Sequence, residues 1–288
     1  MPAFADLDLE NAYFQSYDAV MAQWRVPVET VDLSGRYGTT RITSAGPASA
    51  PPLVLLHGLG ATSAMWYPIA GALAGDHRVR AVDIMGEPGR SRHTGAPIDT
   101  VDEMVAWLAE TFDLLELPPA DLCGHSFGGH LALRFTLAHP TRVRRLVLLD
   151  PVLAFAPLPA EFAEFAQNRD VHLTFENARA MFAPGVSGSG PAREAYLDLL
   201  AHGAAHFPAS PVPMPELPGA LPALPVPTLV VLAGGSAVHD PEAAAQAAQG
   251  AGARTAVVPG VGHGLVTDAP GSVADLIRDH LHGQPSTG

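Results

Sequence analysis

Lysine is absent from this 288-residue chain; all sixteen basic side chains are arginine. That excludes Schiff-base chemistry on a lysine amine. It also deprives Gly-rich stretches such as 185–190 of a P-loop lysine, so they do not read as nucleotide sites. There is one cysteine, Cys123, which excludes an intrachain disulfide. Positive charge is scarce: 29 acidic residues leave a net charge of −13. Nucleic-acid binding needs clustered cations on the phosphates, and docking on an anionic membrane needs a basic patch; neither is expected. No run approaches the roughly 18 apolar residues of a spanning helix. The first residues, Met1 to Asp8, are acidic and lack an apolar signal core. The expectation is a soluble, cytoplasmic protein.

What is present is core-forming material. Hydrophobic residues make up 48% and charged residues 16%, which excludes wholesale disorder. Apolar positions between 9 and 24 recur at helical spacing. Two short strands follow at 28–33 and 39–43, turned at Gly35 and Gly38. The continuous apolar run at 53–56 suits a strand buried on both faces, and further strands are read at 79–83, 121–124, 143–149, 228–232 and 254–258. Between them lie predicted helices at 63–74, 100–117, 127–139, 241–249 and 272–282. Strands alternating with crossover helices predict a mainly parallel sheet of eight strands with helices on both sides.

The alternation breaks at Asp150-Pro151. Residues 151–224 carry no strand signal and contain Phe155, Phe162, Phe165, Phe175, Phe182 and Phe207. They end in a proline-rich stretch, 208–227, read as a hinge. The expected organisation is a core from 1–150 and 225–288, with 151–224 inserted as a mostly helical cap. The cap phenylalanines form its own core, with some facing the cleft. The tail, 283–288, is expected to be disordered.

Three strand ends carry the chemistry. Gly124-His125-Ser126-Phe127-Gly128 follows a strand and opens a helix, the context in which G-x-S-x-G lifts a serine onto a sharp turn. The Phe127 N–H then sits at a helix N-terminus, where it can hold an oxyanion. His57-Gly58-Leu59-Gly60 ends the third strand, and the Leu59 N–H is the natural second donor. His57 itself reads as a buried structural histidine. His263, after the last strand, can reach Ser126 across the cleft. Asp83 and the glycines of 86–89 read as a structural loop, and Cys123 as a buried apolar residue. His202 and His206 stand at i, i+4, but no further ligand completes a metal site, so they read as surface residues of the cap.

With these motifs the chain resembles the capped, carboxylesterase-like branch of the α/β-hydrolase superfamily. The matching pieces are HGLG at 57–60, DIMGEPGRS at 83–91, GHSFGG at 124–129, LLDPVLAFAP at 148–157, PTLVVLAGG at 227–235 and PGVGH at 259–263. The resemblance implies the fold, a cap over the cleft, and a Ser126–His263–acid mechanism. It also implies a small, largely apolar ester or thioester as substrate, with no metal or organic cofactor. The acid departs from the pattern. The family's usual place, three residues after Gly234, holds Ala237. Asp240 serves if the loop bends back; Asp150 serves as in relatives that keep their acid at this strand end; or there is only a Ser–His dyad. The departure keeps open a non-hydrolytic cyclase, lyase or perhydrolase, and a non-catalytic receptor.

Overall fold

The computed structural model describes residues 4, 6–160, 173–207, 212, 213, 216, 217, 219 and 221–283. Eight strands form one sheet: β1 (Val28–Gly35), β2 (Gly38–Ala45), β3 (Pro52–Leu56), β4 (Arg78–Val82), β6 (Ala120–His125), β7 (Val143–Leu149), β8 (Thr228–Ala233) and β9 (Arg254–Val258). Their order across the sheet is β1-β2-β4-β3-β6-β7-β8-β9. A ninth, two-residue strand, β5 (Arg92–His93), pairs with β2; it lies between the strand expected at 79–83 and the helix expected at 100–117, where the sequence predicts no strand. The hairpin β1–β2 is antiparallel and joins β4 antiparallel; every other pairing along the order is parallel.

The central strands are rich in apolar residues because both faces are covered. Leu53, Leu55, Cys123, Val147, Leu149, Leu229 and Val231 face one cluster, with helix α1 (Leu7–Met21), helix α2 (Ala70–Ala74) and the C-terminal helix, Pro270–Leu281. Val54, Leu56, Leu122, Leu146, Leu148, Val230 and Leu232 face the other, with α3 (Val101–Leu114) and α4 (Phe127–Ala138). The alternation is the period of two that a strand imposes. Helix starts follow their caps. Asp6 accepts from the Leu9 N–H, and Thr100 and Glu103 form a capping box.

The helix expected at 63–74 is broken. A 3-10 turn, Ser63–Trp66, precedes α2, and Pro68 lies between them. Proline has no N–H and collides with the carbonyl four residues back. That carbonyl, on Ala64, accepts instead from Tyr67 N at 3.1 Å and Trp24 Nε1 at 3.3 Å.

Within 151–224, the described residues contain no strand and two longer helices, α5 (Phe175–Phe182) and α6 (Pro191–His206). Arg179 of α5 pairs with Asp198 at 2.6 Å and with Glu194, both on α6. Helix α6 lies on α1, and Phe4, Tyr13 and Phe14 gather around Phe207. Phe155 packs into one sheet cluster, Phe182 and Phe207 into the other, and Phe175 against His202. These four therefore serve packing. Phe162, Phe165, part of the 208–227 hinge and the 284–288 tail lie outside the described residues. Among those described, no helix is long and apolar enough to cross a membrane.

Candidate active site

Strand β6 ends at His125 and α4 begins at Phe127, leaving Ser126 alone to make the turn. Its backbone takes φ 55° and ψ −119°, a conformation that costs a residue with a Cβ about 1–3 kcal/mol. Glycine is needed on both sides. A Cβ on Gly124 would stand 2.2 Å from the Gly128 carbonyl oxygen, and one on Gly128 would stand 2.4 Å from the carbonyl oxygens of Leu56 and His57. The turn is locked by Ser126 N donating to Leu149 O at 2.9 Å and by Ser126 O accepting from His130 N at 3.1 Å.

His263 arrives on the loop after β9. Its Nε2 is 2.8 Å from Ser126 Oγ, and its Nδ1 is 2.7 Å from Asp150 Oδ2. An ionised carboxylate only accepts, so the proton sits on Nδ1 and the bare Nε2 accepts from the serine hydroxyl. Asp150 follows the last residue of β7, is fully buried, and has φ 45°. Its Oδ1 accepts from Ala233 N at 2.9 Å and its Oδ2 from Ser236 Oγ at 2.7 Å. His239 Nε2 is 3.0 Å from Oδ1. Burial pushes the Asp150 pKa upward. The close approach of His239, the hydrogen bond from His263 and the charge of both rings outweigh that, and hold the carboxyl well below the usual carboxylate range.

Of the two acids the sequence offered, the structure brings Asp150 to His263 and not Asp240. Asp240 is exposed and accepts from Ala243 N at 2.8 Å as the N-cap of helix α7 (Pro241–Gly250). Its place directly before Pro241 fixes that role, since a proline at the first helical position follows a capping residue. Ala237 is also exposed.

The loop 57–60 flanks Ser126 on the other side. A Cβ on Gly58 would stand 3.1 Å from Ser126 Cβ, so the chain bearing Leu59 passes directly beside the nucleophile turn. Phe127 opens α4 on the opposite flank. His57 is buried; it donates from Nδ1 to Gly58 O at 2.8 Å and accepts the Ile84 N–H on Nε2 at 2.9 Å. It ties the two loops together, and burial pushes its pKa down. Asp83 accepts from Ser63 N, Arg90 N and the Tyr17 hydroxyl at 2.7–3.0 Å, a structural hub. Cys123 is fully buried, which pushes its thiol pKa up and away from nucleophilic use.

Four residues escaped the sequence reading. His125 donates from Nε2 to the carbonyl oxygen of His263 at 2.8 Å, and the two rings lie 4.8 Å apart. Glu87, buried in the loop after β4, accepts the Gly60 N–H at 2.5 Å. Ser236 and His239 converge on Asp150. Only His125 carried a sequence signal, as the residue adjoining the nucleophile.

Comparison with known proteins matches these features. The model of the alpha/beta hydrolase family covers residues 53–276. Carboxylesterase YbfK of Bacillus subtilis is 36% identical over 163 residues, which is 57% of this chain and 55% of that protein. A second Bacillus subtilis protein, the uncharacterized carboxylesterase nap, is 34% identical over 154 residues, 54% of this chain and 51% of the relative. The chain thus spans about half the length of the curated relatives it matches. In three dimensions the likeness extends further. The crystal structure of carboxylesterase CesB (YbfK) covers 97% of this chain and 100% of its own, with TM-score 0.87 and 26% identity. That of naproxen esterase from Bacillus subtilis gives TM-score 0.86 at 26% identity and the same coverage.

Proposed function

The chain belongs to the alpha/beta hydrolase family, and from that premise we propose that it hydrolyses a small, largely apolar carboxylic ester or thioester through an acyl-enzyme on Ser126. One observation carries the reading: an unbroken line from Ser126 Oγ through His263 to a buried, ionised Asp150, with contacts of 2.8 and 2.7 Å.

His263 Nε2 takes the hydroxyl proton as Ser126 Oγ attacks the ester carbonyl. Asp150 stabilises the imidazolium and keeps it in the productive tautomer. The tetrahedral oxyanion falls between the Leu59 and Phe127 N–H groups, each worth roughly 3 kcal/mol of barrier. His263 then protonates the departing alcohol or thiol. Water, deprotonated by the same nitrogen, releases the acid and returns the proton to Ser126. The apolar preference is supported by Leu59, Phe127 and Val152, apolar residues that adjoin the nucleophile turn. Val152 also bonds the Ser126 carbonyl. Both Bacillus subtilis relatives bear carboxylesterase names. The non-hydrolytic reading rested on Ala237 in the acid's place; an acid reaching His263 from another strand leaves it without a motivating observation.

The test is intact-mass labelling with a fluorophosphonate, alongside hydrolysis of p-nitrophenyl butyrate. The expected result is one adduct and measurable turnover, both lost in Ser126→Ala. A folded protein that takes no adduct overturns the proposal.

A further inference from the structure

We propose that the loop between β8 and α7 is a clamp on Asp150, and that Ser236 and His239 are positioning residues for the reaction at Ser126. The inference rests on the serine-hydrolase reading. This is the loop that, in the pattern the chain resembles, carries the acid; here that place holds an exposed Ala237. The residues on either side of Ala237 turn inward instead.

Ser236 donates its hydroxyl to Asp150 Oδ2, the same oxygen that receives His263, at 2.7 Å. Its own orientation is set by the Val238 N–H, which donates to Ser236 Oγ at 3.2 Å. His239 stands against the other oxygen, with Nε2 3.0 Å from Oδ1 and both side chains essentially without solvent exposure. Its N–H is off the line of a hydrogen bond, and Nε2 meets no other acceptor among the described residues. Such a buried N–H faces the carboxylate because an imidazole lone pair there would repel it. With the Ala233 N–H also on Oδ1, three hydrogen bonds hold the two oxygens, from Ala233, Ser236 and His263, and the His239 ring closes on Oδ1 as a fourth contact. A carboxylate free to turn about its Cβ–Cγ bond presents either oxygen, at varying distance, to His263. One held at both ends presents Oδ2 alone. The loop has exchanged an acid of its own for groups that fix the acid of the neighbouring strand.

The consequence is measurable in kcat rather than KM, since neither residue is placed to touch substrate. Ser236→Ala and His239→Leu are each expected to lower kcat and the fluorophosphonate labelling rate about 10- to 100-fold at unchanged KM. His239→Gln, which keeps an N–H donor, recovers most of the loss. In an Asp150→Asn background, His239→Leu is expected to cost less than about twofold more, because the group it positions has gone. A purely structural role would lower the melting temperature and leave the kcat of the folded fraction unchanged. It would also cost the same in both backgrounds. The downfield proton resonance of His263 Nδ1 reads the clamp without turnover. It shifts or broadens in Ser236→Ala and His239→Leu if the clamp acts. An unlabelled wild type overturns the hydrolase reading, and the resonance then decides the clamp separately. A resonance unchanged in both variants, or kcat within threefold of wild type in both, overturns the clamp. Should His239→Leu fail to fold, Ser236→Ala and His239→Gln carry the same tests.

Discussion

Replacing Asp150 by Asn is the sharpest perturbation the site allows. The backbone tolerates the change: φ is 45° at this position, and Asn is among the few residues that enter the left-handed region readily. Volume is conserved. What changes is the donor count. Four donor atoms lie within 3.0 Å of the Asp150 oxygens, on Ala233, Ser236, His239 and His263. An amide offers one acceptor oxygen. If its NH₂ faces Oδ2's former partners, His263 Nδ1 meets a donor and its proton moves to Nε2, which can then no longer accept from Ser126. If the amide is flipped, the NH₂ meets the Ala233 N–H and His239. Either way the imidazolium loses its counter-charge. Loss of the wrong-tautomer kind costs about 10⁴ in kcat in a serine protease triad, or about 5 kcal/mol at 1.36 kcal/mol per decade. We expect a fall of about 10³- to 10⁴-fold in p-nitrophenyl butyrate hydrolysis, with KM within a few fold. Thermal unfolding measured alongside shows that the fold survives. A folded Asp150→Asn that keeps more than a tenth of wild-type kcat would refute the assignment.

Other outcomes follow from the same geometry. Ser126→Gly is expected to unfold at higher temperature than Ser126→Ala, by the equivalent of about 1–3 kcal/mol, because only glycine relieves the positive φ; equal melting temperatures would show the turn to be unstrained. Asp240→Ala removes a helix N-cap and is expected to cost about 1 kcal/mol of stability with kcat unchanged, read by urea unfolding and ester turnover. Burial, helped by the positive charge of His263, pushes the His125 pKa down to about 3, and burial pushes that of His130 down to about 4. Unfolded imidazoles titrate near about 6.5, so below that pH the unfolded chain binds protons the native one refuses. Stability is therefore full above about pH 6.5 and falls with acidification, by about 1.4 kcal/mol per pH unit for each such histidine. Urea unfolding at pH 7, 6 and 5 measures the slope. His130→Phe should flatten it by one histidine's share, and parallel slopes would count against the account.

Much of the fold was readable because its signals are local. The central strands stand out by their apolar residues, since both their faces are covered, and the first two by the glycines that turn between them. The nucleophile turn stands out because Gly124 and Gly128 answer contacts that any Cβ would violate. The sequence alone favours Asp150, 24 residues after Ser126, but leaves Asp240 open. Both precede proline, and the deciding facts are the 2.7 Å contact to His263 and the capping bond to Ala243. Ser236 and His239 had no signal, because their function depends on a carboxylate more than eighty residues earlier. The helix expected at 63–74 failed at Pro68, where apolar periodicity outweighed a local breaker that should have been heeded. Strand β5 is too short to carry any pattern.

The aromatic seam between α1 and α6 sets the order in which this molecule can be assembled. Tyr13 and Phe207 are ring neighbours 5.1 Å apart, yet nearly two hundred residues separate them along the chain. Helix α1 has 15 residues, a length at which an isolated helix is marginal in water. On the ribosome its partner emerges about 10–40 s after it, at ordinary elongation rates. Through that interval Tyr13 lacks the Phe207 ring that packs on it, while Tyr17 and Trp24 meet Asp83 and Ala64 much sooner. Helix α1 is thus secured in two stages, and closing the longer loop belongs to the slow class of folding events. Until that second stage, the face of α1 that meets α6 stays uncovered in the nascent chain.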